Sequence, residues 1–526
     1  MVERPLGAQL SHMLKSRGVE VIFGIPGVHN VELYRGIEEA GLTHVLARHE
    51  QGAGFMADGY ARATGRPGVA YVITGPGLTN ILTPLGQAYS DSVPVLAISS
   101  CLNRADLGVG RARLHEMKDQ EGAAATVCDW SRTAMDAATA YQLVDRAFAE
   151  FAAGRPRPKH MQVPIEVLGA LAPEFDAPRA LPARPVAADL SAAIERIARA
   201  ERPLFVFGGG ARAGWQAARR VLAKTRAASI VTYAGRGIVA PGDPLSLGNY
   251  LARPDAERML SRADLIIAIG TELSEVDAWR PRALPDVPLL RVDIDPAELF
   301  DDSAADLAVL GDAGAFLSAL ADALPERASS GWNAAEIAAA RARWRAETDA
   351  ERPGIVRVVD ALRDCLPKQT RIYSDMTQFA YVAKEVWDMP EPGLWHHPFG
   401  FGTLGYALPA AIGGKVGLPG EPVVAIAGDY GLQYTIQELG TAVELGLPLP
   451  ILVWDNGKLK EIEESMVRSQ IAPNAVVARN PDFVRLAEAY GANAVRPGSI
   501  GDLQSAVHNA LSADGPTLIH MTQAMV

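Results

Sequence analysis

The chain has 526 residues, and its length predicts two to four domains rather than one hydrophobic core. Its composition, 48% hydrophobic and 21% charged, is typical of a globular protein. The net charge of −11 argues against a nucleic-acid-binding surface, and three widely spaced cysteines exclude a disulfide framework or a cysteine-rich zinc site.

The beginning of the chain, "MVERPLGAQLSHML", carries charges where a signal peptide needs a long apolar run. The most apolar stretches, such as "DLIIAIG" and "PVVAIAG", have the length of strands and fall far short of a membrane span. We therefore expect a cytoplasmic enzyme or binding protein, without membrane or nucleic-acid partners.

Residues 1–170 alternate short apolar runs with helical stretches. The strand candidates are "VEVIFGIPG", "HVLARHE", "GVAYVITGPG", "PVLAISS" and "PKHMQVPIEV". Strands that alternate with helices predict an open parallel α/β sheet. The Pro-rich, aperiodic stretch at 171–189 is predicted to be a linker.

Residues 190–325 repeat the α/β pattern with "PLFVFGGGAR", "ASIVTYAGRG", "ADLIIAIGTEL" and "PLLRVDIDPAE". The Gly cluster lacks a complete G-x-G-x-x-G, so a mainly structural role is predicted for this middle domain. A helical linker at 326–352 precedes a third α/β domain at 353–526. Three open parallel-sheet α/β domains are the predicted fold class.

The third domain contains "GDYGLQYTIQELGTAVELGLPLPILVWDN", which predicts a strand, a helix and a second strand. This βαβ unit brings Asp429 and Asn456 to the carboxyl ends of adjacent strands, where α/β sheets bind ligands. A carboxylate and an amide oxygen are hard ligands that suit Mg²⁺ together with phosphate oxygens. Alone, each residue is equally typical of a helix cap or a turn.

The same stretch resembles the cofactor-binding motif of the thiamine-diphosphate-dependent superfamily of acetolactate synthases and 2-oxo acid decarboxylases. The resemblance implies thiamine diphosphate bound at Gly428, Asp429 and Tyr430. It also implies Mg²⁺ held by Asp429, Asn456 and the main-chain oxygen of Lys458. Two positions depart from the motif, since Tyr430 replaces a glycine and Asp455 replaces an asparagine. Tyr430 is expected to crowd the approach of phosphate and weaken cofactor binding.

The stretch "RHEQGAGFMADGYAR" resembles the pyrimidine-binding motif of the superfamily, with Glu50 at the position of its glutamate. A buried carboxylic acid there suits the task of sharing a proton with the pyrimidine ring of the cofactor. Taken alone, Glu50 is equally well explained as a carboxylate at a helix N-terminus. The resemblance implies that the pyrimidine domain of one subunit faces the diphosphate domain of another, so we expect a homodimer at least, and a homotetramer as the full assembly.

Between these motifs, "GFGTLGYALPAAIGG" resembles the segment that supports the bent cofactor. The resemblance implies Leu404 as the wedge between the two rings and the Gly402 carbonyl as an acceptor from the cofactor amine. Thr377 and Gln378, in "SDMTQ", are weaker candidates for diphosphate contact.

The resemblance implies decarboxylation of a 2-oxo acid to an aldehyde and CO2, with His115, Gln120 and Glu461 as further catalytic candidates beside Glu50. Several phrases look most like the 5-guanidino-2-oxopentanoate decarboxylase branch, which would place the enzyme in amino-acid catabolism. A carboxylate such as Glu461 would suit a guanidinium tail. His29 and the pair His396-His397 are also candidates for moving protons.

Three alternatives stay open at this point. A carboligase would join the decarboxylated fragment to a second carbonyl, as acetolactate synthases do. A relic would bind thiamine diphosphate without turnover, with Tyr430 as its lesion. An NAD-dependent dehydrogenase would need a complete dinucleotide fingerprint, which the chain lacks.

Overall fold

The computed structural model describes residues 3–301 and 303–525 and divides them into two compact units. The first unit comprises residues 3–182, 371–377 and 397–525. The second unit comprises residues 183–301, 303–370 and 378–396. The predicted fold class is confirmed, because the two units contain three parallel α/β sheets. The domain boundaries drawn from the sequence stay a prediction.

The N-terminal sheet of the first unit has six parallel strands in the spatial order 2-1-3-4-6-5. In chain order they are Val21–Gly24, Thr43–Leu46, Gly68–Val72, Val95–Cys101, Trp130–Thr133 and Lys159–Pro164. The short strands Arg4–Pro5 and Leu171–Ala172 pair antiparallel beside it. The helices are Leu6–Ser16, Val31–Tyr34, Glu50–Thr64, Pro76–Ser90, Arg104–Asp106 (3-10), Gln120–Ala125, Ala137–Ala153 and Ile165–Gly169.

In the same unit, five parallel strands of the C-terminal sheet lie in the order 1-2-3-5-4. In chain order they are Arg371–Ser374, Val423–Gly428, Pro450–Asp455, Asn493–Val495 and Thr517–Thr522. The helices are Ala407–Gly417, Asp429–Tyr434, Ile436–Glu438 (3-10), Leu439–Glu444, Lys460–Arg468, Phe483–Ala489, Ile500–Ala510 and Gln523–Met525 (3-10).

The second unit contains a five-stranded parallel sheet in the order 2-1-3-4-5. In chain order its strands are Pro203–Phe207, Ala228–Val231, Leu265–Ile269, Leu289–Asp293 and Leu307–Leu310, and the unit also contains the short strand Trp395–His396. Its helices are Ser191–Arg199, Gly209–Gly214 (3-10), Trp215–Thr225, Tyr233–Gly235 (3-10), Ala256–Leu260, Glu275–Ala278, Pro296–Leu299 (3-10), Ala313–Ala323, Ala334–Glu351, Ile355–Cys365 and Gln378–Val386.

The two sheets of the first unit share one apolar core. Two helices rich in small residues, Glu50–Thr64 and Ala407–Gly417, pack at its centre. A Cβ at Gly413 would lie 1.9 Å from the carbonyl oxygen of Met56, so the two backbones meet without room for a side chain. This contact fixes the start of the first helix, where Glu50 lies, relative to the C-terminal sheet. Among the described residues, no helix combines the length and apolar character that crossing a membrane requires.

Candidate active site

Glu50 is the first residue of its helix, directly after the strand Thr43–Leu46 and its short turn. Its side chain is buried, with the residue 8% exposed, and Oε2 accepts a hydrogen bond from Nδ2 of Asn80 at 2.9 Å. A Cβ built on Gly77 would lie 3.2 Å from Oε1, so the carboxylate faces the turn that begins the next helix. Two residues of the sequence motif "TGPGLTN", Gly77 and Asn80, therefore lie beside the Glu50 carboxylate, and Asn80 is its hydrogen-bond partner.

Gln120 and His115 lie at the same turn. Oε1 of Gln120 accepts from the Gly75 N–H at 3.0 Å, and its Nε2 donates to the Ser100 carbonyl oxygen at 2.8 Å. The carbonyl oxygen of His115 lies 2.5 Å from where a Cβ of Gly75 would be. Both polar atoms of the Gln120 side-chain amide form hydrogen bonds with the backbone, so this side chain holds the turn in place. Its contact with substrate stays a prediction.

His115 and His29 form a pair of rings with centroids 4.8 Å apart. The Nδ1 atom of each ring is buried and has no hydrogen-bond partner within residues 3–301 and 303–525. Burial and the nearby His115 lower the pKa of His29. Two adjacent imidazoles with unpartnered ring nitrogens are suited to proton transfer.

Asp429 and Asn456 lie where the sequence predicts them, at the ends of the neighbouring parallel strands Val423–Gly428 and Pro450–Asp455. Gly428 is in register with Trp454, which sets Asp429 beside Asp455. Asn480 bridges the two carboxylates, with Nδ2 donating to Oδ2 of Asp429 at 2.7 Å and to Oδ1 of Asp455 at 2.9 Å.

The two carboxylates differ in their electrostatic environment. Burial raises the pKa of Asp429, and the nearby Asp455 adds to the effect, whereas the Asn480 hydrogen bond opposes it. For Asp455, burial is outweighed by hydrogen bonds from His520, at 2.8 Å, and from the Gly457 N–H, so its pKa is lowered. A buried carboxylate with a raised pKa is a place where a bound cation is favourable.

The loop after the second strand carries the other two proposed metal ligands. Oδ1 of Asn456 accepts from the Lys458 N–H at 3.2 Å, and Lys458 forms an isolated antiparallel bridge to Val477. Within residues 3–301 and 303–525 there is no cluster of three His, Cys, Asp or Glu side chains that would bind a metal unaided. The predicted ligand set of one carboxylate, one amide and one carbonyl fits Mg²⁺, which takes oxygen ligands and keeps positions for phosphate oxygens.

Leu404 lies half-buried between two anchored neighbours. Thr403 donates through its N–H and its hydroxyl to Oε1 of Gln87, at 3.2 and 2.9 Å. The Gly405 N–H donates to Oδ2 of Asp375 at 2.8 Å, and burial raises the pKa of that carboxyl to about 6. Fixed backbone on both sides is what a side chain that wedges between two rings requires. Gly402, two residues earlier, has a positive φ of 66°.

The remaining predicted residues lie on three segments of the chain. Thr377 is buried against Gly428, where an added Cβ would lie 3.2 Å from the Cβ of Thr377. Gln378 begins a helix of the second unit, and Tyr430 is half-buried in the first turn of the helix Asp429–Tyr434. Glu461 lies on the helix Lys460–Arg468, with one carboxylate oxygen 3.6 Å from Nη2 of Arg468.

Glu438 connects the two halves of the first unit and was missed in the sequence. One carboxylate oxygen accepts from the N–H groups of Arg48, at 3.1 Å, and His49, at 2.9 Å, immediately before Glu50. Thr441 Oγ1 donates to the other oxygen at 3.0 Å. The C-terminal segment thus holds the backbone from which Glu50 projects. In the sequence, the mainly apolar stretch "IQELGTAVELG" gives only a weak signal for this glutamate.

Gly52 leaves the space that Glu438 needs. A Cβ at Gly52 would lie 2.2 Å from Oε1 of Glu438, so we expect Gly52→Ala to lower the free energy of unfolding by about 1–3 kcal/mol. Chemical denaturation of the two proteins measures the difference. Gly420→Ala is the matched control, because nothing lies within 4 Å of a Cβ there. Equal losses in both variants would show that Glu438 does not depend on this space.

Burial raises the pKa of Glu438 to about 7, although three donors oppose the shift. Folding therefore favours the protonated carboxyl, and its contribution to stability falls as pH rises from about 4.5 to about 7. We expect the stability of the wild type to decline relative to Glu438→Gln across that window, by at most about 1.4 kcal/mol per pH unit. Unfolding free energies at each pH measure this difference. Glu444→Gln, which alters only an exposed ion pair with Arg48, should show a flat difference, and a flat difference for Glu438→Gln would contradict the prediction.

Three family models match the chain in the order expected from the fold. They are the thiamine pyrophosphate enzyme N-terminal TPP binding domain at residues 4–123, its central domain at 190–320, and its C-terminal TPP binding domain at 375–521. Thiamine pyrophosphate is thiamine diphosphate under its other name. The N-terminal match contains Glu50, His115 and Gln120, and the C-terminal match contains Asp429, Asn456 and Lys458.

Curated relatives align with almost the whole chain. The probable 2-ketoarginine decarboxylase AruI of Pseudomonas aeruginosa is 42% identical over 98% of this chain and 94% of its own length. The acetolactate synthase isozyme 2 large subunit of Escherichia coli K12 is 30% identical over 98% of this chain and 95% of its own length. The acetolactate synthase large subunit of Parasynechococcus marenigrum is 30% identical over 97% and 86%.

The resemblance seen in the sequence motifs is thereby confirmed, and a dehydrogenase built on a dinucleotide fingerprint is excluded. The chain belongs to the thiamine pyrophosphate enzyme family, and it contains both of the domains with which that family binds its cofactor.

Proposed function

We propose that the protein is a thiamine-diphosphate-dependent carboxy-lyase that converts a 2-oxo acid into an aldehyde and CO2. The candidate substrate is 5-guanidino-2-oxopentanoate. The relative named 2-ketoarginine decarboxylase, 42% identical over 98% of the chain, supports this substrate. A 2-oxo acid is the product of amino-acid transamination, so the proposal extends to amino-acid catabolism in the cytoplasm.

One observation carries the proposal. The protein holds a buried acid, Glu50, at a glycine-rich turn, and a buried carboxylate, Asp429, beside Asn456 at adjacent strand ends. The first arrangement suits a pyrimidine ring that must share a proton, and the second suits a diphosphate bound through Mg²⁺. Both arrangements belong to one compact unit, so each chain carries the two halves that a pair of subunits would bring together.

Thiamine diphosphate, when bound, supplies a nucleophilic carbon and an acceptor for the electron pair that loss of CO2 leaves behind. In this proposal Glu50 keeps a proton at the pyrimidine ring nitrogen, and Asn80 orients its carboxyl group through the 2.9 Å hydrogen bond. Asp429, Asn456 and the Lys458 carbonyl would hold Mg²⁺. Leu404 orients the rings from its anchored loop.

His115 and His29 are proposed to move the proton that completes aldehyde release. Their rings lie together at the turn that faces Glu50, and each has a buried Nδ1 without a protein partner among the described residues. The lowered pKa of His29 keeps the ring neutral near pH 7, so a proton that it receives is readily passed on. Gln120 keeps this turn in position.

Carboligation is the second candidate, favoured by the acetolactate synthases that are 30% identical over nearly the whole chain. The two reactions share every step up to CO2 loss. In decarboxylation the carbon that lost CO2 is then protonated, whereas in carboligation it bonds to the carbonyl carbon of a second molecule. Chromatography of the products distinguishes them, since decarboxylation yields one aldehyde for each CO2. A relic without turnover would yield neither product.

The proposed substrate predicts that the enzyme prefers a 2-oxo acid with a guanidinium group over one with a neutral chain, and comparing two such acids tests this. We expect a kcat/KM for 5-guanidino-2-oxopentanoate at least about tenfold above that for 2-oxohexanoate, because a charged hydrogen bond is worth about 1.5–3 kcal/mol. Glu461→Gln should lower the first value and leave the second unchanged. Glu463→Gln is the matched control, since Lys458 and Lys460 already pair with Glu463. A preference for the neutral acid would remove the guanidino substrate from the proposal.

The proposal includes a homodimer as the smallest active assembly and a homotetramer as the complete one. Family resemblance supports this, because it implies that one subunit supplies the pyrimidine side and its partner the diphosphate side. Sedimentation velocity with and without thiamine diphosphate and Mg²⁺ measures the assembly. An active monomer would contradict it.

A further inference from the structure

Arg236 of the second unit is a buried guanidinium without a hydrogen-bond acceptor. It follows the strand Ala228–Val231 and the turn Tyr233–Gly235, and it is only 3% exposed. Its Nε, Nη1 and Nη2 are all buried, and none has a partner within residues 3–301 and 303–525. Its guanidinium carbon lies 4.6 Å from the centre of the Trp395 ring. A charge taken out of water in this way is costly unless it meets an acceptor.

Two further donors lie with Arg236. Nε1 of the Trp395 indole is buried and has no partner among the described residues. Nζ of Lys384 lies over two aromatic rings, 4.1 Å from the centre of Tyr233 and 5.0 Å from the centre of Tyr381, and forms no ion pair with a described carboxylate. Tyr233 belongs to the turn that directly precedes Arg236, and the Arg236 charge contributes to lowering the pKa of Lys384.

The carboxylates of this region attract the two cations, Glu385 and Asp277 acting on Lys384 and Asp388 on Arg236, but each forms its hydrogen bonds with other groups. Asp277 accepts from the Ser274 hydroxyl at 3.0 Å, and Glu385 accepts from Nε of Arg253 at 3.1 Å. Asp388 accepts from an asparagine and an arginine of the same unit. Consequently burial lowers the pKa of Arg236 to about 9 and that of Lys384 to about 8, and both side chains remain cationic at pH 7.

The cluster offers only donors. Arg236 presents five N–H groups in a planar fork, Lys384 presents three, and the indole presents one. A ligand that satisfies them must accept hydrogen bonds and carry negative charge, which excludes amines and guanidinium compounds. Carboxylate and phosphate oxygens meet both requirements, and the guanidinium fork matches their geometry.

We propose that Arg236, Lys384 and the indole N–H of Trp395 form a binding site for a small oxoanion, either a carboxylate or a phosphate. The site lies wholly within the second unit and does not depend on the proposed reaction. Its ligand replaces the missing acceptor, so occupancy stabilises the folded protein by mass action.

Calorimetric titration of the full-length protein with inorganic phosphate and, separately, with sodium acetate tests the proposal, with chloride holding the ionic strength constant. We expect one anion to bind the wild type and to raise its melting midpoint. Arg236→Gln and Lys384→Gln should each weaken that binding at least about tenfold. Tighter binding of phosphate identifies a phosphorylated ligand, and tighter binding of acetate identifies a carboxylic acid.

Arg202→Gln is the matched control. Arg202 also lies 4.6 Å from a tryptophan ring, that of Trp332, but it is half-buried and precedes the strand Pro203–Phe207, at the opposite end of the parallel sheet. This variant should bind the anion as the wild type does.

A second readout separates an anion site from a structural arginine. In chloride alone, Arg236→Gln should melt no lower than the wild type, because it removes an unpaired buried charge. A lower melting midpoint, or failure to fold, would show that Arg236 has a structural partner and would overturn the proposal. So would the absence of binding by both anions, or binding that Arg236→Gln and Lys384→Gln leave unchanged.

Discussion

Replacement of Glu50 by glutamine is expected to lower CO2 release from the preferred 2-oxo acid by at least about 100-fold. Glutamine keeps the size of the side chain and can still bond to Asn80, but it cannot share a proton with a pyrimidine ring nitrogen. Glu50 is buried, 8% exposed, which limits how far water can replace its carboxyl group. Steady-state CO2 release with saturating cofactor and Mg²⁺ measures the loss.

The fold of the Glu50→Gln protein should be unaffected, so its circular dichroism and melting midpoint should match those of the wild type. Glu39→Gln is the control, because Glu39 belongs to the same domain and pairs with Arg4 at the surface. It should retain full activity. Activity of Glu50→Gln within threefold of the wild type would refute the acid role of Glu50.

The second large effect concerns the metal. Asp429→Ala is expected to weaken binding of thiamine diphosphate in the presence of Mg²⁺ by at least about 100-fold, since it removes the proposed charged metal ligand from a buried site. Asp455→Ala is the matched comparison, because Asp455 shares Asn480 with Asp429 but contacts the proposed metal only through its neighbours. Its loss should weaken binding by about tenfold, as removal of an outer partner of a metal ligand does.

A circular dichroism titration with thiamine diphosphate at fixed Mg²⁺ measures both variants. Without added metal, the wild type should bind as weakly as Asp429→Ala does with it. Equal weakening by Asp429→Ala and Asp455→Ala would mean that the metal is bound by other residues.

The sequence predicts those features of the fold and site that repeat along the chain. Apolar strands that end in glycine or aspartate indicated three parallel sheets, and the end of one such strand located Asp429. Glu50 and Leu404 were predicted from the resemblance of their contiguous motifs to those of the family, and their roles stay predictions. Short-range patterns of this kind report directly on strand ends, where parallel sheets bind ligands.

The features that sequence reasoning missed depend on contacts between distant residues. Asn480 reaches Asp429 across 51 positions, and Glu438 reaches His49 across 389. No local pattern encodes such a pairing. Gln120 was predicted as catalytic, but only the folded chain shows that its amide is bound to Gly75 and Ser100.

Domain limits are also set by packing that local pattern does not reveal. The helix Ile355–Cys365 groups with the second compact unit, whereas the predicted third domain begins at residue 353; that boundary stays a prediction. Its buried face contains Val358, Val359 and Leu362. A helix that packs on any α/β sheet has such an apolar face, so the sequence of the helix does not indicate which sheet it packs against.

The measurement that tests the account most directly is CO2 release by purified protein stripped of cofactor and metal and assayed with a panel of 2-oxo acids. The account predicts no release until thiamine diphosphate and Mg²⁺ are both added, and then one aldehyde for each CO2, fastest with 5-guanidino-2-oxopentanoate. Release that does not require the cofactor, or no release from any 2-oxo acid with both present, would contradict it.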